Sequence, residues 1–432
     1  MGAANYSRRG VLRLGAGAGI GAASLAAARE QSPPAAPEGP SLDALARDED
    51  YWARISSLYD VTPDVTNLEN GYWGIMARPV LAAYQAHTER VNRDNTAYAR
   101  RGFGPDIRAV YERLAAFLGV GTDELLLMRG ASEALQNLIG GYNRLRPGDA
   151  VLYADLDYSA MKSAMRWLED RRGVEVIKID LPEPASYDNI LAAYEAAFDR
   201  HPNIRMMLAT QVNNLTGLIH PIPEIAAMAR ARDIDVILDS AHALGQLDFQ
   251  LTDLGCDFVG LNLHKWIGAP IGCGLIYIKR DRIPDIDPYM GEPGDADDIR
   301  ARAHTGTSNF AAHLTIPDAL DFHEAIGSAA KEARLRHLRN LWVAQAREIA
   351  HIDVLTPDDP RMVCALTSFR AHGRLTTEEN NAIVRALAEE GGVFTVRRTG
   401  PAAGDCVRVT PAIYNSEADV LKLPRALAAL RA

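Results

Sequence analysis

The sequence is poor in cysteine, and the spacing of its cysteines excludes the common zinc sites. Only four of the 432 residues are cysteine. A structural zinc site needs closely spaced cysteine or histidine pairs such as CxxC, and none of the four belongs to such a pair. We interpret them as small buried hydrophobic residues, with one disulfide as the alternative in an exported protein. They are Cys256, Cys273, Cys364 and Cys406.

Basic residues are outnumbered by acidic ones. The chain has 46 lysines and arginines against 56 aspartates and glutamates, which gives a formal net charge of -10. A nucleic-acid-binding surface normally shows as clustered lysine and arginine. We therefore expect no nucleic acid among the partners of this protein. The composition, 47% hydrophobic and 24% charged, is typical of a globular protein of one or two domains.

The N-terminal residues 1–28 differ in kind from the rest of the chain. Paired arginines, Arg8 and Arg9, precede a weakly apolar Gly/Ala run that ends in small residues. This pattern resembles a twin-arginine signal and predicts export by the twin-arginine machinery, so that the protein is periplasmic or secreted. The alternative is an N-terminal helix, but the many glycines of this run make a poor helix. The same run has glycines at dinucleotide-fingerprint spacing without the preceding strand, which disfavours a nicotinamide oxidoreductase.

The remaining chain divides into three parts. Residues 29–60 contain a Pro-rich linker and an N-terminal helix near residues 42–57. Residues 61–310 form a large domain in which apolar runs with little polar alternation are separated by helical patterns. Such runs predict a mostly parallel sheet sandwiched by helices, hence an α/β fold. Residues 311–432 form a smaller α+β domain that begins with a long charged helix. The predicted strands of the large domain are "ELLLM", "AVLYAD", "VEVIKI", "IRMMLAT", "IDVILD", "DFVGLN" and "GLIYI".

One predicted strand turns directly into a helix and suits a phosphate group. The turn is at Gly130, and the helix starts near Ala131 and Ser132. Ligands of open α/β sheets bind beyond the carboxyl ends of the strands. Free backbone N–H groups and the positive end of the helix dipole attract an anion at such a place. Taken alone, Ser132 is better explained as an N-cap.

Three further strand ends carry polar side chains. An acid ends one strand, amides end the second, and a lysine follows the third inside an otherwise apolar segment. A buried ammonium without a partner is costly, so this lysine points to a ligand. Together with a phosphate site in one crevice, the set is hard to explain as packing. The residues are Asp239 and His242, then Asn213, Asn214 and Thr216, and finally Asn262, His264 and Lys265.

The order of these motifs along the chain resembles that of a known family. The segments "GASEA", "VNNLTG", "DSAHALG" and "NLHKWIGAPIGCG" are similar to those of fold-type I pyridoxal-phosphate enzymes of the aminotransferase class V family. The resemblance covers residues 67–415. Within the family, "NLENGYWG" and "RVTPAIYN" look most like the isopenicillin N epimerase-like subgroup.

The resemblance implies roles around the ring of pyridoxal phosphate. Lys265 would form the Schiff base with the cofactor aldehyde and then act as general base at Cα. Asp239 would pair with the pyridine nitrogen. His242 and Asn214 would approach the ring hydroxyl, and Tyr158 would stack on the ring face, where the family often has histidine.

The resemblance also implies the phosphate ligands and a dimer. The side chain of Ser132 and the N–H groups of the turn before it would bind the phosphate. In this family a Gly-Thr pair reaches the phosphate of the neighbouring subunit, so a homodimer with active sites at the subunit interface is expected. The phosphate ligands are Gly130, Ala131, Ser132, Asn262 and His264, with Gly306 and Thr307 from the neighbouring subunit.

Arg408 and the segment from Asn70 to Trp73 are expected to contact the substrate, and a pair of arginines is a further candidate. Arg408 matches the family arginine that binds the substrate carboxylate, and a structural ion pair between domains is the alternative. The segment from Asn70 to Trp73, including Tyr72, would line the substrate side of the cleft, or else form a simple turn with aromatic anchors. Arg100 and Arg101 reach the cleft or form a surface basic pair.

The expected substrate is an amino acid or a peptidyl amine. Transamination, epimerisation and lyase reactions share their first steps, and the lysine segment does not separate them. We rank transamination first, and epimerisation or lyase activity second. A desulfurase is disfavoured because it needs a mobile loop cysteine, and a non-catalytic binding protein is disfavoured because both Lys265 and Asp239 are present.

Overall fold

The chain folds around a seven-stranded sheet whose strands alternate with helices. The computed structural model describes residues 32–37, 39–304 and 306–430. The strands are β1 (Thr66–Asn67), β2 (Leu125–Met128), β3 (Ala150–Ala154), β4 (Glu175–Ile179), β5 (Ile204–Thr210), β6 (Asp235–Ser240), β7 (Phe258–Asn262), β8 (Gly274–Ile278), β9 (Ile352–Val354), β10 (Thr367–Ala371), β11 (Val393–Phe394), β12 (Val396–Arg398) and β13 (Cys406–Val409). The helices are α1 (Leu42–Ala46), α2 (Glu49–Ser56), α3 (Arg78–Arg101), α4 (Phe103–Leu118), α5 (Ala131–Gly141), α6 (Ser159–Arg172), α7 (Tyr187–Arg200), α8 (Ile222–Arg230), α9 (Phe310–Leu314), α10 (Ile316–Ile326), α11 (Ser328–Ala346), α12 (Thr377–Glu389), α13 (Glu417–Val420) and α14 (Lys422–Ala429).

The large sheet is mostly parallel and is covered on both faces. Its order is β2-β8-β7-β6-β5-β3-β4, and only β8 runs antiparallel to its neighbours. Alternate residues of one strand pack into two separate cores: Leu152 and Leu238 belong to one, Val151 and Ile237 to the other. Burial on both faces explains why the strands read as continuous apolar runs. The predicted α/β fold with a mostly parallel sheet between helices is confirmed.

The C-terminal part contains a second, smaller sheet. Its order is β12-β13-β10-β9, and all its pairs are antiparallel. Strand β1 lies outside the large sheet and pairs with β11 in parallel. The segment from residue 66 therefore joins the C-terminal part, although it precedes the large sheet in sequence. The domain boundaries at residues 60 and 310 stay predictions.

The N-terminal helix expected near residues 42–57 is two helices. Helix α2 starts afresh after α1 because the side chain of Asp48 accepts the N–H of Tyr51 at 2.9 Å and caps it. The signal predicted in residues 1–28 lies outside the described residues. Within the described part of the chain, no helix is long and apolar enough to cross a membrane.

Candidate active site

A cavity of about 460 Å³ lies beyond the carboxyl ends of β2, β5, β6 and β7. This is the place where open α/β sheets bind ligands. Most of the residues proposed from the sequence contribute to its wall. They are Tyr72, Gly130, Ala131, Ser132, Tyr158, Asn214, Asp239, His242, Asn262, His264, Lys265 and Arg408.

Lys265 and His242 meet at 3.0 Å between Nζ and Nε2. The indole N–H of Trp266 lies 3.4 Å from His242 Nδ1. Because an indole N–H can only donate, Nδ1 accepts, and the proton of the neutral imidazole is assigned to Nε2. That N–H can donate only to a lysine in the free-amine form. This arrangement of His242 thus pairs with the free-amine form of Lys265.

Burial lowers the pKa values of both groups. Burial lowers the pKa of Lys265 to about 8; the carboxylate of Asp239 opposes the shift, and the guanidinium groups of Arg408 and Arg398 add to it. Burial, reinforced by the positive charge of Lys265, holds the pKa of His242 well below its usual value. A free amine and a neutral imidazole are both accessible near neutral pH.

Asp239 is a buried carboxylate at the end of β6. Its Oδ1 accepts the N–H of Ala241 at 2.9 Å, and none of the ion pairs among the described residues includes it. Burial raises the pKa of this carboxyl, while the N–H of Ala241 and the charge of Lys265 work in the opposite direction. A buried carboxylate at a cavity wall, outside the ion pairs of the described residues, suits a cationic ligand.

The turn before α5 is packed tightly against the end of β7. A Cβ on Gly130 would lie 3.2 Å from Asn262 Oδ1 and 3.3 Å from His264 Cε1. Asn262 Oδ1 accepts the N–H of Ala131 at 2.8 Å. The N–H of Ala131, which the sequence predicted as a phosphate ligand, is therefore already bonded. The Nδ2 group of Asn262 is left as a donor. Ser132, at the first turn of α5, is exposed.

His264 is oriented by the backbone. Its Nδ1 lies 2.9 Å from the carbonyl oxygen of Cys273, and since a carbonyl only accepts, the proton is on Nδ1. Burial lowers the pKa of His264. Its Nε2 becomes a donor only after protonation, which a nearby phosphate would favour.

Arg408 lines the cavity and also forms an ion pair. Its Nε donates to Glu69 Oε2 at 3.2 Å, its Nη2 donates to Glu69 Oε1, and its Nη1 donates to the backbone oxygen of Asn214 at 2.8 Å. The structural pair considered as an alternative therefore exists beside the cavity position. A second arginine, Arg398, lines the cavity and reaches Glu69 Oε1 at 3.3 Å.

Sequence reasoning missed both Glu69 and Arg398. Arg398 stands in the strand-like run "GVFTVRR", where alternation places Arg397 and Arg398 on opposite faces. That pattern could have identified one of the two as inward-facing. No local pattern connects Glu69 with Arg408, because the two are 339 residues apart.

Asn70 lies away from the cavity and holds a turn. Its Nδ2 donates to the backbone oxygen of Thr410 at 3.0 Å, and its Oδ1 accepts the hydroxyl of Tyr414 at 2.8 Å. These bonds engage both ends of the amide, so the turn interpretation accounts for Asn70. Trp73 is half-exposed and contacts Tyr72 edge-on, with ring centroids 5.0 Å apart.

Other candidates are on the surface. Gly306 and Thr307 are exposed and are not part of the cavity wall of their own chain. Arg100 and Arg101, in the last turn of α3, are exposed as well. The structure does not bring these four residues to the cavity.

The cavity residues fit pyridoxal phosphate. Asp239 offers a carboxylate that is in no ion pair with another described residue, for the pyridine nitrogen, and Lys265 offers an amine for the aldehyde. Asn214 Oδ1 is buried without a partner in the described part of the chain, which suits the ring hydroxyl as donor. The first turn of α5 suits the phosphate.

Comparisons with known proteins agree with this fit. The family model of Aminotransferase class-V matches residues 78–423. Isopenicillin N epimerase of Streptomyces clavuligerus is 27% identical over 397 residues, which cover 88% of this chain and 98% of the relative. The predicted similarity to isopenicillin N epimerases is thus confirmed.

Solved structures share the fold. The apo cysteine desulfurase of Thermococcus onnurineus NA1 has a TM-score of 0.75 and 17% identity, covering 87% of this chain and 96% of that one. A lysine-to-alanine mutant of C-DES with glycine covalently linked to its PLP cofactor has a TM-score of 0.74 and 20% identity, covering 85% and 97%. Since the family model matches most of the sequence and the cavity fits the cofactor, the chain belongs to the aminotransferase class-V family of pyridoxal-phosphate enzymes.

Proposed function

We propose that the protein acts at the α-carbon of an amino acid or a peptidyl amine, and that it does so by transamination. The observation that carries this proposal is the pair of Lys265 and Asp239. A lysine with a pKa of about 8 and a buried, unpaired carboxylate share one cavity. Chemistry at the α-carbon with pyridoxal phosphate requires two groups: a free amine, and a carboxylate that keeps a proton on the pyridine nitrogen.

The residues of the chain have separate tasks in this reaction. When bound, pyridoxal phosphate supplies an electron sink for the pair left when a proton leaves the α-carbon. Asp239 holds a proton on the pyridine nitrogen. Lys265 moves a proton at the α-carbon, and its distance of 3.0 Å to His242 keeps the amine aimed into the cavity.

Epimerisation is the second candidate. It is favoured by the isopenicillin N epimerase relative, which this chain matches over nearly its full length. Epimerisation would return a proton to the opposite face of the same α-carbon, whereas transamination would leave the α-carbon without its proton, as part of a keto group. The two reactions therefore differ in where one proton goes.

A lyase that uses a cysteine nucleophile is disfavoured. All four cysteines are buried, and burial raises the pKa of Cys364 to about 12 and that of Cys406 to about 11. A buried, protonated thiol cannot attack a substrate sulfur.

Export and assembly are parts of the proposal. The paired arginines near the N-terminus support twin-arginine export to the periplasm or the medium. The exposed position of Thr307, away from the cavity of its own chain, is compatible with a homodimer in which this residue reaches the cofactor phosphate of the neighbouring subunit.

The test is a screen of amino donors with the cofactor-loaded protein in deuterated water, followed by absorbance and mass spectrometry. Transamination leaves the cofactor as the amine and releases a keto product. Epimerisation leaves the cofactor unchanged and gives a deuterated amino acid. Borohydride should trap the cofactor on Lys265, and Lys265→Ala should lose both the trapped product and turnover. A trapped product on another lysine would sink the assignment.

A further inference from the structure

Trp266 and His242 form a buried hydrogen bond beside the amine of Lys265. The indole Nε1 of Trp266 lies 3.4 Å from Nδ1 of His242, and the other ring nitrogen of His242, Nε2, lies 3.0 Å from Nζ of Lys265. Trp266 is 6% exposed and His242 is 4% exposed. Because an indole N–H can only donate, these three side chains form a chain of contacts with one direction, from the indole to the amine.

The position of the proton on the His242 ring decides whether this chain is satisfied. With the proton on Nε2, each contact has one donor and one acceptor: the indole donates to Nδ1, and Nε2 donates to the lone pair of the amine. With the proton on Nδ1, that N–H and the indole N–H would face each other 3.4 Å apart. Opposed buried donors are costly, so the indole of Trp266 favours the Nε2 tautomer.

The same tautomer acts on the charge of Lys265. An ammonium has three donors and no acceptor, so it cannot accept the N–H at Nε2 of His242. A protonated Lys265 would either oppose this N–H or require the other tautomer, which the indole disfavours. Trp266 therefore favours the free amine of Lys265, and it does so through His242.

Contacts of the backbone hold the two loops that carry this hydrogen bond. The side-chain amide of Gln246 donates to the backbone oxygen of His242 at 2.6 Å, and Lys331 donates to the backbone oxygen of Trp266. A Cβ on Gly245 would lie 2.9 Å from the backbone carbonyl carbon of Trp266, so the two loops are in direct contact. This packing keeps the indole and the imidazole within reach of each other.

The charged groups around Lys265 come from other parts of the chain and do not depend on the indole. Burial lowers the pKa of Lys265, the carboxylates of Asp239 and Glu69 raise it, and two guanidinium groups lower it further. A substitution that removes only the indole N–H leaves all these groups in place. The charged and titratable groups near Lys265 and His242 are Glu69, Asp239, His264, Arg398 and Arg408.

We propose that Trp266 is a positioning residue whose indole N–H fixes the tautomer of His242, and that this tautomer favours the free amine of Lys265. The inference rests on the proposed function for the use of the amine, and it names the residue that keeps the amine ready. The tautomer and the reactivity of Lys265 can both be measured without cofactor. A protein that stays colourless with pyridoxal phosphate would therefore count against the proposed function alone.

The reactivity of Lys265 as a function of pH tests the effect on the amine. The cofactor-free, full-length protein is treated briefly with formaldehyde and a reducing agent, which methylate a free amine, and methylated Lys265 is quantified by mass spectrometry. The midpoint of the rise should be at about pH 8 in the wild type and about one pH unit higher in Trp266→Phe. An equal midpoint in the two proteins would overturn the inference.

Trp342→Phe is the matched control. Trp342, in α11, is 0% exposed, and its Nε1 has no partner among the described residues. The same substitution there removes a buried indole without removing a hydrogen bond, so its midpoint should equal that of the wild type. A shift in Trp342→Phe as large as that in Trp266→Phe would assign the effect to lost packing and overturn the inference.

A double variant tests whether Trp266 acts through His242. In His242→Leu the chain is already broken, so adding Trp266→Phe should leave the midpoint of Lys265 where His242→Leu has placed it. A further rise as large as the one that Trp266→Phe causes in the wild type would show that the indole acts on Lys265 by another route, and it would overturn the inference.

Nuclear magnetic resonance reads the tautomer itself. The cofactor-free protein is labelled with 15N-histidine, and the signals of His242 are identified by their absence in His242→Leu. At a pH above the midpoint of wild-type Lys265, we expect the proton on Nε2 in the wild type and partly on Nδ1 in Trp266→Phe. A wild type with the proton on Nδ1 would overturn the inference, and this measurement decides even if Trp266→Phe does not fold.

Discussion

Asp239 is the residue whose replacement should separate cofactor binding from turnover. In Asp239→Asn the cofactor can still bind through Lys265 and its phosphate, but an amide cannot hold a proton on the pyridine nitrogen. We expect near-normal cofactor content and a turnover at least about 100-fold lower. Absorbance and steady-state rates measure the two quantities. Asp248→Asn, which changes an exposed carboxylate nine residues later in the sequence, serves as control, and equal rates in both variants would contradict the role.

The same variant should stabilise the protein without cofactor. Burial raises the pKa of Asp239 above its usual 3.8, so the folded state holds this proton more tightly than the unfolded chain does. The ionised carboxylate therefore opposes folding once the pH has risen above its usual pKa of 3.8. At neutral pH the apo form of Asp239→Asn should melt about 2–4 °C higher than the apo wild type. A lower melting temperature would mean that the carboxylate has a stabilising partner.

Lys265 should make cofactor capture depend on pH. Only the free amine attacks an aldehyde, and the pKa of Lys265 is lowered to about 8. The rate at which the apo-protein acquires the visible band of bound cofactor should rise with pH, and the midpoint of the rise should be at about pH 8. Stopped-flow absorbance gives this profile. A midpoint near the usual 10.5 of lysine would show that burial does not activate the amine.

The sequence identified site residues that stand next to a recognisable strand end. Lys265 and Asp239 were found because a charge in an apolar run is unusual and because motif order supplied a family. Glu69 and Arg398 were missed since their meaning comes from contacts across the fold. The bond from Ala131 to Asn262 was missed for the same reason: it joins the start of α5 to the end of β7, 131 residues apart.

At the scale of elements, the Lys265 loop is held by close backbone packing against residue 74. The N–H of Gly74 donates to His264 O at 2.9 Å, and a Cβ on Gly74 would lie 2.0 Å from Lys265 O. Gly74→Ala must therefore displace the loop, and we expect a loss of about 1–3 kcal/mol in stability together with weaker cofactor binding. Thermal melting and cofactor titration measure both.

Gly104→Ala is the matched control for this substitution. Gly104 is an exposed residue in α4, and its Cβ would meet only Arg108 Nη1, at 3.6 Å. Alanine favours a helix over glycine, so this variant should melt at the same temperature as the wild type or slightly higher. If Gly74→Ala behaves like Gly104→Ala, the loop is not constrained by this contact.

Helix α11 supports the same loop with a buried lysine. Lys331 is 6% exposed, and its Nζ donates to the carbonyl oxygen of Trp266 and lies 3.4 Å from His323 Nδ1. Burial lowers the pKa of Lys331 to about 7 from 10.5. The folded state thus binds this proton less tightly than the unfolded chain does, and the contribution of Lys331 to stability rises between about pH 7 and about pH 10.

Comparison with Lys331→Met isolates this contribution. The stability of the wild type relative to the variant should increase by about 1–2 kcal/mol between about pH 7 and about pH 9. Urea unfolding of the apo-proteins at the two pH values measures the difference. A constant difference would show that Lys331 keeps an ordinary pKa in the folded state.

Most strands and helices could be predicted from the sequence, but which strands pair with each other could not. Every run predicted as a strand of the large sheet is one. Burial on both faces leaves a plain signal in the inner strands, whereas the edge strand β4 has exposed Glu175 and Lys178. Strand β1 has only two residues and pairs with β11, more than 300 residues later, so periodicity could not reveal it. The predicted N-terminal helix is two helices because Asp48 caps a second helix start.

At the scale of the whole molecule, hydrogen bonds and an ion pair of Arg334 join parts of the chain that are far apart in sequence. Arg334 of α11 is 1% exposed and donates to the backbone oxygens of Ala46 at 2.9 Å and Asn415 at 3.2 Å. Its Nη2 lies 2.5 Å from Glu49 Oε1, and its Cζ lies 5.5 Å from the ring centroid of Trp52. The N-terminal helices are thus fixed to the C-terminal part, and they belong to the folded unit.

A dimer that shares its active sites would make two defective chains complement each other. Lys265→Ala removes the lysine but keeps Thr307, whereas Thr307→Glu keeps the lysine but places a negative charge where the partner's cofactor phosphate would lie. In a hybrid dimer, the lysine of the second variant meets the intact Thr307 of the first. Random pairing should then restore about a quarter of all sites, although each variant alone is inactive.

Co-expression of the two variants, followed by measurement of bound cofactor and turnover, tests this expectation. Thr252→Glu, which changes an exposed threonine elsewhere, is the control and should be active alone. Thr307 is not part of the cavity wall of its own chain. If each active site were completed within one subunit, the hybrid dimer would contain no intact site and would stay inactive. Absence of recovery in dimers of the correct mass would therefore contradict the shared site, because both variants would then carry their defects independently.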